Sequence, residues 1–428
     1  MRRFGAVVAT SATRATALAL WLAGGALALV TIACSSGGAA TTITSHDAGD
    51  ATHPVVDAHM AKDSGKDSSV APVDAGCSLS PTCNACLATD PNNCGTCGIS
   101  CGTGGTCANG MCTQVLASGQ GTAPNAVSDL IIDTNNIYWM PAAGSAGNGS
   151  IFSIPKTGGT ITTVVSGISA PEGLTQDDTS LYFISHYVGI KQVAKTGGAT
   201  TQLLQDGVLD GGLYPEFWLL RSSPDLYYVG GLASNIFDLV LDGGTGVPTS
   251  VMSATGLLGA PGTGYNAFAV DDGGLYYDTT SQIVSVSRAT NAPIAMVPGS
   301  SATAGDRFGP TIAIDDTSIY YISNIEQDGA LVSTVMSAPK TGGTATTITS
   351  DSVTFDDGPI VVDGTSVYWS HLIDPATRTS AVVGVAKSGG SVVTISSGCS
   401  VNCPFAVDAT SVYWPASDGT IRSGPKYL

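Results

Sequence analysis

The sequence predicts an all-β protein, and three observations support this. After residue 112 one motif recurs seven times: an apolar strand ends in a polar turn, and the next strand carries a tyrosine followed by a second aromatic residue. Consecutive tyrosines are 44 to 49 residues apart. The strands are rich in β-branched residues and lack helical periodicity. Because periods of about 40 to 50 residues are typical of propeller blades, we predict a seven-bladed β-propeller of four-stranded antiparallel blades over residues 113–428.

The first two strands of each repeat are the most regular part of the pattern. Its tyrosines are Tyr138, Tyr182, Tyr227, Tyr276, Tyr320, Tyr368 and Tyr413. We interpret these side chains and their aromatic neighbours as packing within and between blades. The recurrent aspartates Asp133, Asp315, Asp363 and Asp408 precede the turn, and we expect their carboxylates to accept hydrogen bonds from their own turn amides.

A glycine-rich turn follows the third strand, as "KTGG" at Lys156, Lys195 and Lys340 and as "KSGG" at Lys387. Glycine supplies the positive φ angles of a tight hairpin. A fourth strand follows each such turn, but the seventh repeat ends before it. The segment 113–119, "TQVLASG", resembles the missing strand. We therefore predict that this N-terminal strand completes the last blade and removes the open edge.

A cysteine-rich segment, predicted as a separate module over residues 77–112, precedes the propeller. Its cysteines are Cys77, Cys83, Cys86, Cys94, Cys97, Cys101, Cys107 and Cys112. Two C-x-x-C pairs are compatible with zinc or a redox site, but an even count in an exported chain favours four disulfides. The connectivity is open. Cys399 and Cys403 are predicted to form a further disulfide in the last blade-to-blade loop.

The first 33 residues are predicted to be a signal peptide. Arg2 and Arg3 precede an apolar run that ends in "LVTIAC". This ending resembles the lipobox of bacterial lipoproteins, although Thr31 replaces the usual leucine. The resemblance implies that Cys34 is lipidated and becomes the first mature residue, which anchors the chain in a membrane. The alternative is an uncleaved membrane helix.

Residues 34–76 are predicted to be a disordered tether, because small, polar and acidic residues dominate them and leave too little apolar surface for a core. Three histidines in this segment are interpreted as solvated spacer residues. The residue after the lipidated cysteine is Ser35, so the acidic inner-membrane retention signal of some families is absent. The sequence therefore indicates an exported protein anchored in the cell envelope, with the outer membrane as the favoured location.

Composition excludes one class of function. Charged residues make up 11% of the chain and the net charge is −17. Nucleic-acid binding requires clustered basic side chains to neutralise phosphates, so we predict no nucleic-acid partner. The sequence also lacks phosphate loops, EF-hand loops, G-x-S-x-G and H-E-x-x-H, and we predict no cofactor and no metal site.

By its motifs the repeat region resembles the NHL, YWTD and TolB-like propellers. The "PEGLTQDD" segment is similar to an NHL blade start, and the Tyr-Trp pairs resemble YWTD repeats. The resemblance spans about three quarters of the chain and implies architecture alone, because enzymes, receptors and scaffolds share this fold. A narrower resemblance to the streptogramin lyases implies His186 as a general base and Glu172 as a metal ligand.

Function is expected on one face of the ring. The turns after the first and third strands are uniform, whereas the other connections vary in length and composition. Binding residues usually lie on such diverse loops. The predicted binding residues are Glu172, Tyr214, Glu216, Tyr265, Asp306, Arg307, Asp356, Asp357 and His371. We predict a non-enzymatic, surface-anchored module that binds a protein or glycan; the alternatives are a metal-dependent lyase and a structural component of an envelope complex.

Overall fold

The computed structural model describes residues 79–426, apart from several interruptions. The interruptions are 84, 103, 109, 120–126, 142–147, 186–187, 206–218, 223, 231–234, 242–248, 253–267, 279–281, 291–292, 299–311, 328–329, 352–354, 375, 378 and 401. Residues Ala71–Leu428 belong to one compact unit. The predicted signal peptide, Cys34 and the tether lie outside the described residues. Within the described part, no helix is long and apolar enough to cross a membrane.

The chain folds into seven antiparallel sheets, which are the blades of a β-propeller, as the sequence predicted. Blade 1 consists of β3 (Asp129–Ile132), β4 (Asn136–Met140), β5 (Asn148–Pro155) and β6 (Thr162–Ser169). Blade 2 consists of β7 (Pro171–Gln176), β8 (Ser180–Ser185), β9 (Gly189–Ala194) and β10 (Thr201–Gln205). Blade 3 consists of β11 (Leu219–Ser222), β12 (Asp225–Gly230), β13 (Asn235–Val240) and β14 (Thr249–Met252). Blade 4 consists of β15 (Phe268–Val270), β16 (Gly274–Asp278), β17 (Gln282–Ser287) and β18 (Pro293–Pro298). Blade 5 consists of β19 (Ile312–Ile314), β20 (Ser318–Gln327), β21 (Ala330–Pro339) and β22 (Thr346–Asp351).

The last two blades carry additional strands. Blade 6 contains β23 (Phe355–Val362), β24 (Ser366–Asp374), β25 (Thr379–Ala386), β26 (Val393–Thr394) and the short β27 (Cys399–Ser400), which pairs with β25. Blade 7 contains β28 (Ala406–Val407), β29 (Ser411–Pro415) and β30 (Ile421–Pro425), completed by β2 (Met111–Ala117) and β1 (Thr106–Ala108).

The N-terminal strand closes the ring. In β2, Gln114 lies opposite Ser423 and Ala117 lies opposite Ile421, so β2 is the fourth strand of blade 7. This confirms the closure predicted from the missing strand of the seventh repeat. The first strands of neighbouring blades lie against one another, for example β3 against β7 and β28 against β3, and therefore surround the centre of the ring.

The hydrophobic core consists of layers between blades. On each second strand the tyrosine and its aromatic neighbour point to opposite faces of the sheet, because side chains alternate along a strand. Tyr138 packs towards blade 2 beside Phe183, whereas Trp139 packs towards blade 7 beside Ile421. Tyr182 faces blade 3 in the same way. The paired aromatic motif thus fills two adjacent layers of the ring at once, which explains its recurrence.

The cysteine module is cross-linked by overlapping disulfides, as its composition predicted. The described bridges are Cys83–Cys97, Cys94–Cys107 and Cys101–Cys112. Cys86 is also disulfide-bonded, and Cys77 lies outside the described residues. In the propeller, Cys399 and Cys403 form the predicted bridge beside the layer between blades 6 and 7, and both are fully buried.

Candidate functional site

The turn between the first and second strands of each blade is organised by an aspartate. In blade 5 one carboxylate oxygen of Asp315 accepts hydrogen bonds from the backbone amides of Thr317 and Ser318 at 2.9 and 2.8 Å. Its second oxygen accepts the hydroxyl proton of Tyr320 at 2.8 Å. The same pattern recurs at Asp133, Asp177, Asp363 and Asp408. Asp271 also accepts its turn amides, but Tyr276 donates to the same oxygen at 3.5 Å. These bonds confirm the predicted role of Asp133, Asp315, Asp363 and Asp408 as acceptors for their own turns.

A cation from the following blade, a lysine at five of the seven contacts, completes each of these clusters. Lys387, which follows the third strand of blade 6, places its Nζ 2.7 Å from the second carboxylate oxygen of Asp315. The same ammonium group lies over the ring of Tyr320, 5.0 Å from its centroid. We call such a tyrosine, aspartate and cation a junction triad. It connects two blades through a charge-assisted hydrogen bond and a cation–π contact.

Junction triads occur at all seven contacts between neighbouring blades. In chain order of the tyrosine they are Tyr138–Asp133–Lys195, Tyr182–Asp177–Arg221, Tyr227–Asp225–Arg288, Tyr276–Asp271–Lys340, Tyr320–Asp315–Lys387, Tyr368–Asp363–Lys426 and Tyr413–Asp408–Lys156. The last triad joins blade 1 to blade 7. It therefore stabilises the closure of the ring independently of β2.

Blade 3 departs from the pattern at both of its contacts. Leu241 replaces the lysine after the third strand, and Arg221 of the first strand reaches Asp177 instead, at 3.9 Å. Ser222 replaces the turn aspartate, and Arg288 of blade 4 binds Asp225 at 2.9 Å. The charge pairing is thus retained although both residues have moved in the sequence.

Hydrogen bonds favour the ionised form of the aspartate carboxyl groups in the regular triads. Burial opposes charge on Asp315, but the bonds from Lys387, the turn amides and Tyr320 outweigh it and hold the pKa of this carboxyl well below its usual range. The pKa values of Asp363 and Asp408 are lowered for the same reasons. The triads therefore contain fixed ion pairs at neutral pH, and their side chains belong to the architecture of the ring.

The face with the triads, which we call the turn face, carries the turns after the first and third strands. The opposite face, the loop face, carries all other connections. Two carboxyl groups lie at the loop-face ends of neighbouring innermost strands, Asp129 in blade 1 and Glu172 in blade 2. Asp129 accepts the backbone amide of Leu174 at 2.6 Å, which connects the two strands.

Both carboxyl groups titrate above their ordinary range. Burial raises the pKa of Asp129 to about 6, even though the amides of Leu174 and Leu130 donate to it. Burial also raises the pKa of Glu172 to about 7. Carboxyl groups that are partly protonated near neutral pH can both donate and accept hydrogen bonds, which suits recognition of hydroxyl and amide groups.

His371 also lies towards the loop face. It occupies β24 of blade 6, opposite Phe355 on one side and Ala381 on the other. Blades 2 and 6 are not neighbours, so Glu172 and His371 belong to the same face but to different sectors of the ring. Backbone positions of Asp356 and Asp357 fall in β23 of the same blade as His371.

Other predicted site residues lie outside the described residues, so their placement stays a prediction. These residues are Tyr214, Glu216, Tyr265, Asp306, Arg307 and His186. The approach of His186 to Glu172 that lyase activity requires is therefore also a prediction.

Sequence reasoning missed two sets of residues. The KTGG turns were explained from the sequence by the φ angles of their glycines, and the lysines were given no role. A cation nevertheless recurs directly after the third strand in six repeats. That recurrence was a signal for a shared partner. Asp129 gave no comparable signal, because no other repeat has an acidic residue at its position.

The sulfur atoms of Cys94, Cys101 and Cys112 lie within 4.8 Å of one another, as ligands of a metal ion could. All three sulfurs belong to disulfides, however, and a disulfide sulfur is not a thiolate ligand. The cysteine module is therefore a disulfide scaffold in this structure. Such scaffolds are typical of extracytoplasmic proteins.

No known protein-family profile matches the chain, and no curated protein matches it. Similar solved structures include BamB from Moraxella catarrhalis, with 13% identity, a TM-score of 0.44, and coverage of 70% of this chain and 85% of that one. The computationally designed protein Ika8 has 12% identity, a TM-score of 0.46, and coverage of 73% and 98%. A chain of a nidogen–laminin complex has 14% identity, a TM-score of 0.36, and coverage of 61% and 76%. Similarities at this level identify no family.

Proposed function

We propose that this protein is a non-enzymatic binding module of the cell envelope that presents the loop face of its propeller to a protein or glycan. One observation carries the proposal. All seven cations of the triads, and the carboxylates that they bind, are engaged in holding the blades together on the turn face. Recognition is then left to the loop face, where the connections differ between repeats.

The N-terminal segments support this presentation. Lipidation at Cys34 would anchor the chain, and residues 34–76 would act as a tether between the membrane and the cysteine module. Asp129 and Glu172, at the loop-face ends of neighbouring strands, would provide hydrogen-bonding groups for polar parts of the partner. Tyr214, Glu216, Tyr265, Asp306, Arg307, Asp356, Asp357 and His371 are the remaining candidates for contact with it.

Pull-down experiments from envelope extracts test the proposal. The bait is the soluble fragment from Cys77 to Leu428, and it is compared with two variants. E172Q/H371N changes two of the described loop-face candidates, whereas the matched control D178N/D316N changes exposed carboxylates of the turn face. We expect one protein or glycan fraction to bind wild type and the control and to be reduced at least about tenfold with the loop-face variant.

Equal capture by the two variants would place binding away from this face and contradict the proposal. Stoichiometric co-purification that both variants retain would instead favour the structural-component alternative. The lyase alternative is tested separately by metal-dependent lyase activity in wild type and in H186A. Activity that is lost in H186A would replace the proposed function.

A further inference from the structure

The strand that closes the ring is hydrogen-bonded on both of its edges. One edge of β2 pairs with β30 of blade 7 and the other pairs with β1 of the cysteine module. Leu116 and Ala117 of β2 are buried in the layer between blades 7 and 1. This single strand therefore belongs to the module and to the propeller at the same time.

The contact between β2 and β30 is as short as that between the third and fourth strands of blade 3, but it lacks a connecting turn. Its register pairs are Gln114 with Ser423, Val115 with Arg422 and Ala117 with Ile421, with an irregularity between the last two. In blade 1 the fourth strand, β6, follows the third directly through the glycine turn at Gly158. No such turn joins β2 to β30, because about 300 residues separate them in the chain. We call the contact between β2 and β30 the seam. Its local opening releases more chain entropy than the separation of a third and fourth strand inside another blade, and is therefore favoured in comparison.

The cysteine module counteracts that opening. Cys112, the second residue of β2, is bonded to Cys101 and is 1% exposed. Directly opposite it on β1 lies Cys107, which is bonded to Cys94. The backbone carbonyl of Cys112 also lies against Gly424 of β30, at a place where a Cβ atom would be only 2.6 Å from the carbonyl oxygen. Both disulfides therefore fix the β1–β2 hairpin directly before the residues of β2 that pair with β30.

The connectivity of the bridges strengthens this restraint. Cys94 lies inside the loop closed by Cys83–Cys97, and Cys101 lies inside the loop closed by Cys94–Cys107. Consecutive loops thus overlap, and the start of β2 cannot move away from the module while the bridges are intact. We propose that the cysteine module is a latch: its Cys101–Cys112 bridge and β1 strand hold β2 in its extended conformation, so that less conformational entropy is lost when β2 pairs with β30 and the propeller stays closed.

Hydrogen–deuterium exchange tests the latch. C101A/C112A removes the bridge to β2, and the matched control C83A/C97A removes a bridge of similar loop length elsewhere in the module. In C101A/C112A we expect the amides of Gln114–Ala117 and of β30 to exchange about tenfold faster or more, while those of β20 in blade 5 stay at the wild-type rate. In the control, exchange in β2 should change much less.

Three results would overturn the proposal. Unchanged exchange in β2 of C101A/C112A would show that the seam needs no latch. Equal acceleration in both variants, or in β20 as well as β2, would show that the bridges stabilise the whole chain. If C101A/C112A does not fold, C101A/C112V, which fills the buried position with apolar atoms, replaces it. Failure of that variant as well would assign the bridge a general folding role.

Discussion

Blades 3 and 5 meet their following blades through the same kind of cluster but with different residues. In blade 5, Asp315 binds its own turn, Tyr320 and Lys387 together. In blade 3 the turn position is Ser222, and Arg288 binds Asp225, three residues later in the chain. The comparison shows that the contact between blades requires a cation, a carboxylate and a tyrosine but does not fix the positions of the charged residues.

The relocated charges leave more of the described buried polar atoms without hydrogen-bond partners in blade 3 than in the regular blades. Among the described residues, the buried atoms without a hydrogen-bond partner include Arg221 Nε, Asp225 Oδ1 and Asp238 Oδ1, whereas none belongs to a triad that contains lysine. Asp238 lies opposite Tyr227, at a position that holds Ser285 in blade 4 and Ser337 in blade 5. The regular arrangement therefore satisfies its polar groups better than the relocated one.

The largest expected effect comes from removing a regular carboxylate. D315A leaves Lys387 without its counterion and deprives two turn amides and Tyr320 of their acceptor. We expect a loss of about 3 kcal/mol in the free energy of unfolding. S222A removes only one hydrogen bond from Arg288 and should cost about 1 kcal/mol or less. Urea denaturation of both variants checks this, and equal losses would contradict the importance of the turn aspartate.

A second expected effect is acid sensitivity. Six turn aspartates have folded-state pKa values below the ordinary value of about 4. Their contribution to stability is complete above pH 4 and is lost as the pH falls towards the folded-state pKa values, because the unfolded chain takes up protons first. Melting temperatures between pH 7 and pH 2 should show this decline, and D315N should decline less steeply than wild type. Parallel curves for the two proteins would refute this role of Asp315.

Blade 3 should respond to pH in the opposite direction. Burial, together with the charge of Asp225, raises the pKa of Asp238 to about 6. Stability that depends on protonated Asp238 is therefore lost as the pH rises from about 4 to about 6. We expect D238S to melt up to about 2 °C higher than wild type at pH 8 and to show no gain at pH 4. A pH-independent difference would attribute the effect to packing alone.

The smallest effect is expected at Asp272, the exposed carboxylate near the same arginine. Its Oδ1 lies 3.7 Å from Arg288 Nη1, but its side chain is 99% exposed. Solvent screens such a pair almost completely. D272N should therefore change the melting temperature by less than about 1 °C, whereas D225N should lower it clearly. Similar shifts in the two variants would mean that burial does not distinguish these contacts.

Much of the fold could be predicted from the sequence because a propeller repeats one local pattern. Alternation along the strands, the aromatic pair and the glycine turns are each encoded within a few residues. The closing strand could be predicted as well, because the last repeat lacks a fourth strand and residues 113–119 resemble one. The candidate site was less predictable, since the raised pKa values of Asp129 and Glu172 result from burial between blades.

By itself the sequence determined the number of blades, the identity of the closing strand and the presence of disulfides, because all three follow from patterns that can be counted along the chain. Only the tertiary structure decided which aspartate each lysine binds. Lys387 and Asp315 are 72 residues apart, and Lys156 reaches Asp408 across 252 residues. These pairs form because the ring places the third-strand end of one blade beside the first turn of the preceding blade, and the hydrogen bond and ion pair are then gained without further loss of backbone entropy.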